Sequence, residues 1–566
     1  MATPQEPQGH PEQPSSPVSG AELARAETTR SLQEMGLSTS LERIDTNYPE
    51  VGRPPQPIFP EEYSIETRTG LVPEEALEQI RSGRAAAAGD DSSDADSHPV
   101  RDLEKHKTSE FVTFTIADPS NPHNWSRVYK WYVTMVAALV VVSVAFGSAI
   151  VTGGLGLIEE QYNVSLEVAN LTCSIMVCGF AVGPLLWSPL SEIIGRRPVY
   201  IISFALYTIF QIPCALSPNI GGLLACRFLS GVFSSSGLSL AGGTIADIWQ
   251  IQDRGNAIAY FAAAPYCGPV LGPIVCGWIN VATGRLDLFF WVNMAFSGVT
   301  MILIGLVPET YSPVILKRRA RQMRKETGNE NIITEQEKVK LSLAEIVKTS
   351  LVRPIVMILT EPVLDLMCMY IVLIYAMLYA FFFAYPVIFG DLYGYNDGQI
   401  GLMFIPILIG AAFALVATPY CEKLFRETCA KRAPTPEDRL LGACIGAPFI
   451  PISLFLLGAT SWQWVIWVGP ASSGIAFGFG MVLCYYSVNN YIIDSYSNYA
   501  ASALAAKVFL RSGGGAAFPL FTTQMYHRLG LMWASFLLAF LGVGMFFIPF
   551  GFYFYGGKLR ARFTKA

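Results

Sequence analysis

The sequence predicts an all-α membrane protein with twelve transmembrane helices in two pseudo-symmetric six-helix bundles. Three observations predict it. Hydrophobic residues make up 52% of the 566 residues and charged residues only 15%, where a soluble domain carries roughly 25%. Twelve apolar runs of bilayer-spanning length follow one another along the chain. A short motif also recurs at equivalent places in the two halves.

The charges divide the chain before any helix is assigned. Residues 1–127 carry 22 acids and 11 bases, whereas the rest carries 22 acids and 28 bases. An acidic tail therefore precedes a charge-poor body. This pattern excludes a soluble enzyme, a secreted disulfide domain and a nucleic-acid binder. The 11 Cys form no CxxC pair and fall almost entirely in apolar runs, so they read as small core residues. Of the 5 His, only His527 belongs to the body. No metal, haem or other cofactor is expected, and no nucleophile–base pair marks an enzyme.

The tail, 1–127, opens with stretches such as Pro11-Glu12-Gln13-Pro14-Ser15-Ser16-Pro17. It holds no sustained apolar period, so it cannot bury enough surface to offset its ordering entropy. It reads as a disordered cytoplasmic tether, with a phosphorylation-controlled trafficking segment as the alternative. It has no basic start leading into an apolar core and is not a signal peptide.

A bilayer core takes about 20 apolar residues per helix. Runs meet this near 131–152, 168–188, 199–216, 220–245, 256–279 and 287–306, then near 363–388, 400–420, 440–458, 464–493, 503–525 and 531–555. The expected units are an N-terminal bundle at 128–307, a cytoplasmic linker at 308–353, a C-terminal bundle at 354–556 and a short tail at 557–566. With the tail inside, the even-numbered turns hold most of the body's bases, among them Arg196, Arg197, Arg254, Lys317, Arg318, Arg319, Lys423 and Arg426. The opposite turns hold only Arg285 and Arg528. The positive-inside rule places both termini in the cytoplasm.

The repeat follows span 2 as Ser188-Pro189-x-x-Glu192-x-x-x-Arg196 and span 8 as Thr418-Pro419-x-x-Glu422-x-x-x-Arg426. Parallel halves of this kind occur in alternating-access transporters. Gly195-Arg196-Arg197-Pro198 makes a tight turn, and Glu192 stands four residues before Arg196, a spacing for an ion pair on one helix face. With Asp247, Arg254, Glu422 and Arg426, these residues are the candidate cytoplasmic gate; a topology signal is the plainer alternative. Within span 5, Gly268, Pro269, Gly272 and Pro273 remove donors and bulk, allowing a kink and close helix approach. Arg227 lies about 10 Å inside span 4, where a charge costs a few kcal/mol, so it must face a cavity or a partner.

Together these elements resemble the major facilitator superfamily, and most closely the fungal drug:proton antiporter group with twelve spans. The resemblance runs over 121–566. It rests on Asn121-Pro122-His123-Asn124-Trp125, Gly183-Pro184 through Arg197, Arg227-x-x-x-Gly231, Gly268 to Pro273, Pro308-Glu309-Thr310-Tyr311-Ser312-Pro313, Tyr385-Pro386, Asp494-Ser495-Tyr496 and Ala501-Ser502-Ala503. It implies export of a drug, toxin or secondary metabolite by alternating access with proton antiport. It also implies residence in the plasma membrane, or alternatively the vacuolar membrane, with small organic molecules, protons and the lipid bilayer as partners.

The body carries almost no deep carboxylate. Asp365, near Glu361 at the start of span 7, is the candidate proton site, with Arg227, Lys507 and Arg511 as cavity charges. Lys507 and Arg511 stand four apart on one face of span 11. Polyamine-exporting members carry an acid where this chain has Phe383, and often Asn at Lys507. Neutral or acidic aromatic cargo therefore fits better than a polycation. Tyr375, Tyr379, Tyr486, Asn489 and Asn490 are the candidate cavity lining, since Tyr pairs an apolar face with a polar tip. Asn163 is a candidate glycosylation acceptor in the first outer loop, and a single copy is the expected unit. A polyamine exporter, a nutrient facilitator and a transporter-like sensor are the competing readings.

Overall fold

The computed structural model describes residues 110–115, 118–250, 254–329, 331–334, 337, 343–432, 435–496 and 499–563. The predicted tail lies outside them as far as residue 109. The described chain is helical almost throughout. The one departure from the all-α expectation is a two-residue parallel pair, Glu110–Phe111 beside Ile332–Ile333.

Eleven segments among the described residues are long and apolar enough to cross a membrane. They match spans 1–10 and 12 of the sequence reading. Span 1 is Arg127–Ala149 running into a 3-10 turn at Ile150–Gly153, and span 2 is Leu166–Ile194. Span 3 begins as Arg196–Ile209, span 4 is Ile220–Ile248, span 5 Arg254–Thr283 and span 6 Asp287–Gly305. In the second half, span 7 is Pro362–Tyr385 followed by a π-helical turn, and span 8 is chiefly Ile405–Lys431. Span 9 ends in Phe449–Thr460, span 10 is Val468–Ser495 and span 12 Leu531–Phe563. Span 11 comes as two stacked helices, Ala500–Ala517 and Pro519–Leu529. It falls short on apolarity because Lys507 and Arg511 interrupt it. It nevertheless packs lengthwise against spans 7 and 2, which completes the twelve.

Local chemistry explains several boundaries. Ser126 caps span 1 by accepting from the Tyr129 amide, and Asn219 caps span 4 from the Gly222 amide, each satisfying a donor that the helix start leaves open. Gly195 ends span 2 at φ 103°, a conformation that side chains other than Gly rarely adopt.

Burial sorts the helices. The apolar stretch of span 7 is 83% buried, whereas that of span 12 is 28% and that of span 6 is 33%. Span 7 is thus enclosed by protein, and spans 6 and 12 face outward, as lipid-facing helices must. Span 5 connects the halves. It lies along span 1 on one side and against the start of span 8 on the other. The predicted motif explains the first contact. A Cβ on Gly268 would come within 2.7 Å of the Ala145 Cβ, and one on Gly272 within 2.9 Å of the Ala149 carbonyl carbon. Gly272→Leu should therefore cost about 1–3 kcal/mol by overpacking. A detergent-solubilised variant melting at the parent temperature would refute this packing argument.

Candidate functional site

At the face bearing the basic turns, each half carries a charge cluster. In the first half the helix breaks at Gly195, so Glu192 and Arg196 sit on different helices rather than on one helical face as the spacing suggested. Arg196 instead reaches Asp247 at the end of span 4, at 3.2 Å, and Ser191 at 2.8 Å. Glu192 and Arg254 stand close enough for their charges to bear on this pair. Below it Glu309, from the stretch leaving span 6, takes the backbone amides of Arg196 at 2.8 Å and Arg197 at 3.3 Å. A carboxylate thus caps the start of span 3, where the helix dipole favours negative charge.

The second half builds the same arrangement with one different residue. Glu422 of the repeat and Asp494 at the end of span 10 stand together, but Arg439 joins them, at 3.2 Å and 3.0 Å. Its guanidinium also stacks over Phe425 at 3.7 Å. Arg426, the expected partner, is exposed. The sequence signal for Arg439 was available: it is the first base within span 9, as Arg196 is within span 3.

Arg227 is 1% exposed and its partners are backbone carbonyls. Nε donates to Thr172 at 3.0 Å, Nη1 to Gly147 at 2.7 Å and Nη2 to Ser148 at 3.1 Å. Spans 1, 2 and 4 are joined through this one side chain. It binds where span 1 passes from α to 3-10 helix and carbonyls lose their regular donors.

Span 11 supplies the other buried cations, Lys507 and Arg511, at 3% and 1% exposure. Lys507 donates to the Asn489 side-chain oxygen and sits 4.8 Å from the Tyr485 ring centre. Arg511 donates to the Tyr485 hydroxyl at 2.9 Å and lies 4.5 Å over the Tyr375 ring. Tyr266 from span 5 closes the group, edge-on to Tyr485 at 5.3 Å and 6.5 Å from Tyr375. By helix rise these residues lie about 10–20 Å from the basic face, near mid-depth. Tyr375 continues to Tyr379 at 5.1 Å. The Tyr379 hydroxyl meets the Ser148 Oγ at 2.7 Å, on the residue whose carbonyl Arg227 holds. A continuous polar seam therefore runs from span 4 through spans 1 and 7 to span 11.

Tyr266 and Ser148 escaped the sequence reading, because nothing local distinguishes them from other packing residues. Asn489 falls on the seam. Tyr486 and Asn490 are buried beside it on span 10, with the Asn490 amide donating back to the Tyr486 carbonyl at 3.2 Å. Asp365 is half-buried in the first turn of span 7, about 15 Å by helix rise from Tyr375. Glu361, one turn earlier, is 3% exposed and accepts from the Tyr496 hydroxyl at 3.4 Å. Asn163 is exposed at a positive φ of 50°.

Toward the opposite face, side chains join the halves. Asn280 donates to Asp397 at 2.5 Å, Asn170 to the Pro519 carbonyl at 3.3 Å and Gln524 to Glu167 at 2.7 Å.

The Arg439 assignment has a direct test. Arg439→Ala leaves Glu422, 8% exposed, without its bridge and should lower the melting temperature of the purified protein, since orphaning one member of a buried pair costs several kcal/mol. Arg426→Ala should fall within about 0.5 kcal/mol of the parent, as exposed substitutions do. Equal losses would return the bridging role to the predicted repeat.

A profile of the Major Facilitator Superfamily matches residues 137–519. The chain is 54% identical to the multidrug transporter TPO3 of Candida glabrata, over 96% of this chain and 91% of that protein. It is 53% identical to polyamine transporter 2 of Saccharomyces cerevisiae, over 99% and 95% of the two lengths. Among solved structures, the human organic anion transporter MFSD10 aligns with a TM-score of 0.54 at 16% identity, covering 74% of this chain and 99% of that one. The xylose transporter XylE from E. coli aligns at 0.55 and 17%, covering 75% and 98%; both likenesses bear on the fold alone. The chain belongs to the Major Facilitator Superfamily and, within it, to the fungal drug:proton antiporter group whose motifs it carries.

Proposed function

We propose that this protein is a secondary active exporter of small apolar or aromatic organic molecules, a drug, toxin or secondary metabolite, working by alternating access and proton antiport. The observation that carries the reading is the buried seam between two pseudo-symmetric bundles, lined by Tyr266, Tyr375, Tyr379 and Tyr485. Broad aromatic faces with few fixed polar groups suit varied apolar cargo. Relatives in Candida glabrata and Aspergillus fumigatus are named multidrug transporters.

In this reading the Asp247–Arg196 and Asp494–Arg439 clusters form the gate at the basic face. The Asn280–Asp397 and Glu167–Gln524 bonds form the opposing gate. Arg227 is a positioning residue that sets span 1 against spans 2 and 4. Asp365, with Glu361 beside it, is the proton-binding end of span 7. The basic face is cytoplasmic, the plasma membrane is the site of action and one copy suffices. The reading includes no catalytic step.

The competing reading, polyamine export, draws on relatives named polyamine transporters. Lys507 and Arg511 oppose it, because a polycation gains nothing from two buried positive charges.

Reconstituted vesicles with an imposed proton gradient test the proposal. A labelled neutral azole should accumulate against its gradient, and a protonophore should abolish that accumulation. Asp365→Asn should keep equilibration and lose the gradient-driven part. Accumulation of spermidine in place of the azole would favour the polyamine reading, and gradient-independent movement would make the protein a facilitator.

A further inference from the structure

The two cations of span 11 carry more charge than their surroundings neutralise. Buried charges are normally paired or hold a ligand. The ionisable groups that bear most strongly on Lys507 are Tyr485, Arg511 and Cys368, and those on Arg511 are Tyr485, Tyr375, Tyr266 and Tyr379. No carboxylate is among them, and no ion pair links either cation to an acid among the described residues. Lys507 has an amide oxygen together with the hydroxyl and ring face of Tyr485, and Arg511 a phenol and two ring faces. The Arg511 Nε is buried with no hydrogen-bond partner, and so is the Tyr266 hydroxyl. By contrast, Arg227 spends all three guanidinium nitrogens on carbonyls. The difference is one of completion: the same residue type is satisfied in one half and left open in the other.

We propose that Lys507 and Arg511, framed by Tyr266, Tyr375 and Tyr485, form a subsite for an organic anion, an aromatic monocarboxylate. The Nε edge of a guanidinium offers the planar fork that a carboxylate accepts. The ammonium of Lys507, one helical turn away on the same face, supplies the second charge. The Tyr266 hydroxyl, from the other half of the molecule, is a further donor, so an anion bound here touches both bundles. Tyrosine rings on several sides favour a flat apolar body over an inorganic anion. The proposal rests on the transport reading above and narrows it to acidic aromatic cargo.

The test uses the full-length protein in lipid nanodiscs at neutral pH with three probes of one shape: benzoate, benzyl alcohol and benzylamine. Benzoate should bind at least tenfold more tightly than benzyl alcohol and raise the melting temperature, and benzylamine should do neither. Arg511→Gln and Lys507→Gln should each weaken benzoate at least tenfold. Benzoate binding no tighter than benzyl alcohol, or unchanged in Arg511→Gln, overturns the subsite. The comparison of the three probes on the parent protein decides the matter even if a variant fails to fold. Azole accumulation without benzoate preference removes this inference alone. Benzoate binding without movement of either azole or benzoate removes the export reading and leaves the subsite standing.

Discussion

Hydrocarbon contains no water, so every polar group that enters it must find its partner inside the protein. Most of the arrangement answers to that constraint, with the Arg511 Nε and the Tyr266 hydroxyl among the exceptions. Serine and threonine hydroxyls along the spans turn back to carbonyls three or four residues earlier, as Ser148 does to Ala145 at 2.7 Å and Thr418 to Ala414 at 2.8 Å. Gln211, Asn293 and Tyr207 satisfy one another across spans 3 and 6, with Asn293 accepting from the Tyr207 hydroxyl at 3.1 Å and donating to Gln211 at 2.9 Å. Arg227 does the same on a larger scale, since a buried guanidinium needs several acceptors. The result is a first bundle whose spans are tied by polar contacts as well as by packing.

The architecture was legible because each span is a local property. A run of about 20 apolar residues declares itself without reference to the rest of the chain. The turn at Gly195 and the close-packing motif of span 5 were legible for the same reason. Span 11 falls short of the other spans in apolarity, since Lys507 and Arg511 dilute it, yet those two residues are what connect it to the seam.

The site was legible only in part. Arg227, Lys507 and Arg511 stood out because charge is rare in the spans. Of their partners, Asn489 and Tyr375 were among the candidate lining, whereas Ser148 and Tyr266 were not. Ser148, Tyr266 and Tyr485 acquire meaning from helices brought together by the fold, and one chain offers no local sign of that. The repeat is incomplete at Arg426, whose charge bears on Glu422, because it is a pattern of spacing, while the bridging role depends on which guanidinium reaches both Glu422 and Asp494. The longer connection ahead of span 9 places Arg439 there. In both halves the arginine that bridges belongs to the start of the third span, so the pseudo-symmetry holds in space where it fails in sequence register.

One modest feature has mechanical weight. The segment ahead of span 1 does not run straight into the bilayer. Glu110 and Phe111 pair with Ile332 and Ile333, Asp118 is bound by Arg319, and Val112 packs with Ala320 and Ile332. The incoming chain is thus stapled to the strap that joins the bundles. Tension on the chain ahead of residue 110 would therefore be carried by these contacts into the strap before it reached any membrane helix.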